Sequence, residues 1–117
     1  MSRFINLHVW HQARQLLKLV SSITADMRGE GDLKSQMRRA AISVASNIAE
    51  GSERGSDRDF LRFLAIANAS AAEVEAQAII AADCGCLSDQ RSVAIADQAR
   101  IVGRMLNKLM ARMAGSG

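Results

Sequence analysis

The chain has 117 residues, no proline, no tyrosine, 3% aromatic and 49% hydrophobic residues, and a formal charge of +3. That length makes one domain, 1–117, long enough to bury roughly two-thirds of its unfolded surface, and its alanine, leucine, isoleucine and methionine content favours helix over sheet. No apolar run approaches the roughly 20 residues of a bilayer span, and Met1-Ser2-Arg3-Phe4 leads into His8, His11 and Arg14 without a signal-peptide core, so the expectation is a soluble cytoplasmic protein with no membrane partner.

The first predicted helix covers 6–27, with Val9, Trp10, Ala13, Leu16, Leu17, Val20 and Ile23 at three- and four-residue spacing. Asn6 is the candidate cap of its start, and Trp10 is read as a core anchor. Gly29 and Gly31, with Glu30 and Asp32, make the loop that follows. The second helix covers 33–50 on Leu33, Met37, Ala40, Ala41, Val44 and Ile48, with Asp32 as N-cap and Gly51 at the left-handed C-terminal position. Gly51-Ser-Glu-Arg-Gly55 is a turn.

Ser56 followed by Asp59 is a variant capping box for the third helix. That helix runs through Phe60, Phe63, Leu64, Ala67, Ala71, Val74, Ala78 and Ala81 to about Asp83, and Gly85 ends it. The fourth starts at Ser88, carries Ile95, Ala99, Val102, Leu106, Leu109 and Met113, and ends at Gly115 in the Gly115-Ser116-Gly117 tail. Short connections between helices of similar length make sequence neighbours antiparallel. The predicted fold is all-α, an antiparallel up-down-up-down four-helix bundle.

The third helix is apolar on more than one face. Leu61, Ala65, Ile66, Ala69, Ala72, Ala76, Ile79 and Ile80 fall outside its core stripe, and a helix apolar nearly all round is usually buried. Leu61, Ile66, Ile79 and Ile80 are therefore the candidate oligomer interface. A polar set shares the faces of helices two and three: Arg38, Arg39, Asn47, Glu50, Ser70 and Glu73. A buried arginine needs a carboxylate, and Glu50 and Glu73 are the available ones, so these residues are read as a structural polar network.

Arg100, Arg104, Lys108 and Arg112 stand four apart on the fourth helix, and from residue 91 on the chain has five basic residues against one acid, Asp97. A winding basic stripe of this kind suits the phosphates of RNA or DNA. No aromatic side chain interleaves with it, which favours backbone or shape recognition over base stacking.

Catalytic and metal motifs are weak. His8 and His11 are three apart with no carboxylate cluster beside them. Cys84-Gly-Cys86 lacks a second cysteine pair and is read as ordinary reduced thiols. The glycine turns lack the flanking strand of a phosphate loop, and the Glu-x-x-His pairs of bundle metal sites are missing. The expectation is a protein that is not an enzyme and carries no cofactor and no metal.

Three segments, in order, carry a resemblance: Leu7-His-Val-Trp10-His-Gln-Ala13; Ser35-Gln-Met-Arg-Arg-Ala-Ala-Ile-Ser-Val-Ala-Ser-Asn-Ile-Ala-Glu-Gly51; and Asp59-Phe-Leu-Arg-Phe-Leu-Ala-Ile-Ala-Asn-Ala-Ser-Ala-Ala-Glu-Val-Glu75. Nearly the whole chain resembles the bacterial four-helix bundle family encoded within intervening sequences of 23S ribosomal RNA, which includes the accessory variability determinant of diversity-generating retroelements. The helix-two segment is its most specific part. The resemblance implies a protomer assembled into a ring-like homopentamer, a scaffold role associated with nucleic acid and, for the retroelement member, binding of a reverse transcriptase and RNA. The chain departs from the family pattern at Ala45, where a helix-two proline is usual, and at Ala65, Asn68 and Ala69, where a tyrosine and then arginine-glycine are frequent. The leading functional expectation is a non-enzymatic oligomer that binds structured RNA or other nucleic acid; the alternative is a protein-interaction adaptor without intrinsic nucleic-acid affinity.

Overall fold

The computed structural model describes residues 3–27, 29 and 31–116. Met1, Ser2, Glu30 and Gly117, which enter the reading of the start, the first loop and the tail, lie outside the described residues. A 3-10 turn, Arg3–Asn6, precedes four helices: α1 (His8–Ala25), α2 (Gly31–Ser52), α3 (Asp57–Asp83) and α4 (Asp89–Ser116). Each helix packs on its sequence neighbours and α1 also packs on α4, closing a bundle around one core.

The core is built from one stripe per helix. Val9, Ala13, Leu16 and Val20 of α1 meet Met37, Ala41, Val44 and Ile48 of α2, Leu64, Ala67, Ala71, Val74 and Ala78 of α3, and Ile95, Ala99, Val102 and Leu106 of α4. Leu16, Ile48, Leu64, Ile95 and Leu106 are fully buried, each contributing about 1.5–3 kcal/mol through removal of its side chain from water. The registers of neighbouring helices run in opposite senses. Along α3 and α4, Asn68 bonds Asn107, Glu75 bonds Arg100, and Ser92 donates to the carbonyl of Ala78. Along α2 and α3, Ser43 bonds Ser70 while Gly51 lies against Phe60 and Phe63.

Two predicted starts are present as local hydrogen bonds. Ser56 Oγ accepts the Asp59 N–H at 3.2 Å, a cap that contributes about 1 kcal/mol. Ser88 Oγ accepts the Arg91 N–H at 3.2 Å. Gly85 (φ 75°) ends α3, with the Cys86 N–H bonded to the Ala81 carbonyl and the Gly85 N–H to the Ala82 carbonyl, the paired bonds of a left-handed helix stop.

Five expectations are corrected. Asn6 sits in the 3-10 turn and does not cap α1; Leu7 occupies that position with no side-chain cap bond, since its hydrocarbon side chain, packed against the core, carries no acceptor. Asp32 lies in the first turn of α2, which begins one residue earlier. Gly51 is no left-handed stop: α2 continues through it to Ser52, and its missing side chain lets α3 approach. Trp10 stands half-buried at the edge of the core, its ring 4.7 Å from Phe4 in an edge-on pair and covered by Arg14 at 4.9 Å. By length and composition α3 is, against expectation, long and apolar enough to cross a bilayer, but 39% of the qualifying window is buried inside the bundle, and the helix carries Glu73 and Glu75 near its middle. A bundle helix packed on two neighbours can pass the same test of length and composition.

Candidate nucleic-acid interface

The four basic residues of α4 separate into two kinds. Arg100 is committed to ion pairs: its Nε donates to Glu75 Oε2 at 2.7 Å and its Nη1 to Asp97 Oδ1 at 2.8 Å. It joins α3 to α4 and offers little net charge to a ligand. Arg104, Lys108 and Arg112 are exposed, and Arg104 and Lys108 make no ion pair among the described residues. Four residues advance a helix by roughly 6 Å and rotate it by about 40°. The stripe therefore winds from a groove between α3 and α4, where Arg104 lies with Asn68, Ala72, Gly103 and Asn107, to the α1 side, where Lys108 and Arg112 lie.

There Lys108 and Arg112 flank a half-open cavity of about 270 Å³ between the start of α1 and the last turns of α4. Leu7, Val9, Met105 and Leu109 form its apolar wall, and Asn6 and His8 complete the lining.

A second group of cations escaped the sequence reading. Arg54, Arg58 and Arg62 surround the α2–α3 turn. Arg54 pairs with Glu50 at 3.0 Å and Arg62 with Asp59 at 3.8 Å, and both guanidiniums lie over the Phe63 ring, each 4.8 Å from its centroid. Residues 8–14, 50–63 and 104–116 share this end of the bundle and hold seven basic residues (Arg14, Arg54, Arg58, Arg62, Arg104, Lys108, Arg112) against four acidic ones (Glu50, Glu53, Asp57, Asp59). Residues 15–27, 31–49 and 64–103 hold six basic and seven acidic, so the positive charge is concentrated at one end.

The predicted polar network is redrawn. Arg38 and Arg39 are exposed, because Met37, Ala40 and Ala41 take the core face and rotation by 100° per residue turns 38 and 39 outward. Glu50 pairs with Arg54 instead. What remains is smaller: Ser43 and Ser70 hydroxyls bond at 2.8 Å, Asn47 Nδ2 donates to the Ser43 carbonyl at 2.8 Å and to its hydroxyl at 3.0 Å, and Gln77 Nε2 donates to Glu73 Oε2 at 3.3 Å. Ser43 and Gln77 are the members that sequence reading missed. Arg39 only flanks the shallow groove above the serine pair, which Glu73 also lines.

On the outer face of α3, Ile66, Ile79 and Ile80 are 41%, 46% and 47% exposed, with Ala65, Ala69, Ala72 and Ala76 exposed between them. Leu61 is half-buried. Ile42 on α2 and Val93 on α4 are also exposed and were not anticipated. His8 and His11 are exposed, and the described residues contain no group of three or more His, Cys, Asp or Glu that could hold a metal ion. Cys84 is exposed and Cys86 half-buried, and neither is in a disulfide.

Residues 5–108 match the family model described as 23S rRNA-intervening sequence protein. No curated protein matches the chain. The fold is similar to the crystal structure of a protein of unknown function from the S23 ribosomal protein family of Bacteroides thetaiotaomicron, with a TM-score of 0.80 and 18% identity, covering 87% of this chain and 97% of that one.

Proposed function

The chain belongs to the 23S rRNA-intervening sequence protein family, and from that premise we propose that it is a non-enzymatic, homo-oligomeric, cytoplasmic protein that binds structured RNA through the basic surface of α4. The protomer is taken as an up-down-up-down bundle, consistent with the opposed registers of its helices. The observation that carries the reading is the pair Arg104 and Lys108, exposed and without ion pairs among the described residues, at the end of the bundle where basic residues outnumber acidic ones. Two cations per protomer are a weak site. Repeated around a homopentameric ring they become a multivalent one, in which each further engagement is effectively intramolecular.

The test is binding of a fluorescent structured RNA, with duplex DNA alongside, across a salt titration. Log affinity should fall linearly with log salt, with a slope of about −0.9 for each duplex phosphate neutralised, and RNA should bind more tightly than DNA. Absence of binding at low salt would overturn the reading.

A protein-interaction adaptor, such as an accessory subunit of a reverse transcriptase, is favoured by one observation: the exposed apolar face of α3. We assign that face first to self-association, since single-chain domains rarely expose large contiguous apolar patches. The native mass should then be a multiple of the 12.6 kDa protomer, fivefold for the ring. Ile66→Asp or Ile79→Asp should release monomers, because each places a charge where the partner surface must be dry. A monomeric parent chain, or an unchanged mass in both variants, would free this face for a different partner.

A further inference from the structure

We propose that the cavity between α1 and α4 seats a single unstacked RNA base, with Lys108 and Arg112 holding the phosphates on either side of it. The inference rests on the RNA reading above and adds a specificity element that a basic stripe alone lacks. Size is the first argument: the cavity measures about 270 Å³, whereas an engineered cavity of roughly 150 Å³ holds benzene, so a two-ring purine and part of its sugar fit.

Chemistry is the second argument. Leu7, Val9, Met105 and Leu109 give the base an apolar wall, and the Met105 thioether is polarisable and suited to an aromatic ring. The Asn6 amide at the same cavity can both donate to and accept from a base edge. A phosphodiester would not enter such a wall, but it would sit at the rim. Lys108 and Arg112 are there, roughly 6 Å apart along α4, and they continue the line begun by Arg104. The α1 start adds to this field, since Leu7 supplies no side-chain cap and uncapped first-turn N–H groups favour an anion. Charge that leads away from the cavity along a helix matches a polymer's backbone better than a small anion with one charged head. Sequence-specific RNA recognition generally works this way, on bases freed from the stack by a bulge or loop.

The experiment uses two fluorescent RNA hairpins that are identical except for one bulged adenosine, titrated with the full chain. The bulged hairpin should bind about tenfold more tightly, the worth of about 60 Å² of apolar surface removed from water. Leu109→Trp fills the cavity from α4, and Asn6→Trp blocks its mouth from an exposed position outside the core. Both should reduce the bulged hairpin to the affinity of the paired one. Equal binding of the two hairpins by the parent chain, or a preference that survives Asn6→Trp in a natively melting protein, overturns the base seat while leaving the stripe intact. Failure of both hairpins to bind at low salt instead overturns the RNA reading on which the seat rests.

Discussion

Gly51→Ala is expected to destabilise the bundle by about 1–2 kcal/mol, although alanine in place of glycine within a helix ordinarily gains up to about 1 kcal/mol. A Cβ built on Gly51 would lie 2.6 Å from the Phe63 Cβ and 3.0 Å from a Phe60 ring carbon, with the Phe60 carbonyl oxygen at 3.4 Å. The first of these approaches is the serious one. A Cβ is fixed to its backbone and cannot rotate away, so relief requires α2 and α3 to separate near their shared turn. Overpacking of this kind typically costs about 1–3 kcal/mol, which exceeds the propensity gain. Separation would also loosen the stack of Arg54 and Arg62 over Phe63. In thermal melts the midpoint should fall by about 4 °C for each kcal/mol in a domain of this size. Gly51→Val, with two further carbon atoms to place, should fall further. Gly55→Ala is the control, because nothing lies within 4 Å of a Cβ there, and its midpoint should stay close to that of the parent. If Gly51→Ala melts with the parent, the approach of α2 to α3 is not limited by that residue.

Gly51 also shows where reading the sequence stops. A glycine followed by Ser-Glu-Arg-Gly at the end of an apolar-periodic segment carries the same local signal whether it stops the helix or admits a neighbour. The distance to Phe63 decides between them, and that distance belongs to two helices. Features that are local were legible: the core stripes, the serine cap at 56, the helix start at Ser88, the stop at Gly85, and the outward isoleucines of α3, whose positions follow from spacing alone. Features that need a second helix were not. Arg100 and Arg104 have the same chemistry and the same spacing, yet one is paired because Glu75 reaches it from α3. Arg38 and Arg39 looked like buried cations because the apolar residues around them were read as a face, whereas Met37, Ala40 and Ala41 alone fill the core side. Lys108 and Arg112 were placed on a stripe, but the cavity they flank exists only where α1 begins against the last turns of α4.

That division between paired and unpaired cations makes the second prediction sharp. Arg104→Glu combined with Lys108→Glu should weaken RNA binding at low salt on the order of 100-fold, about tenfold for each cation exchanged for a carboxylate that repels the phosphates. The same change should flatten the salt dependence by about 0.9 in slope for each duplex phosphate no longer neutralised. Stability should change little, since both side chains are exposed and surface charges without partners contribute little to folding. Arg100→Glu should behave in the opposite way. Its guanidinium already serves Glu75 and Asp97, so RNA affinity should fall less than tenfold. The new carboxylate would, however, face Glu75 across the α3–α4 seam and Asp97 on its own helix, and the melting midpoint should drop. Were the three positions equivalent, as their spacing suggests, the single variant would lose affinity in proportion to the double one and stability would not distinguish them. Affinity that stays within twofold of the parent in the double variant would remove Arg104 and Lys108 from the RNA surface and turn attention to Arg58 at the α2–α3 turn, which makes no ion pair among the described residues.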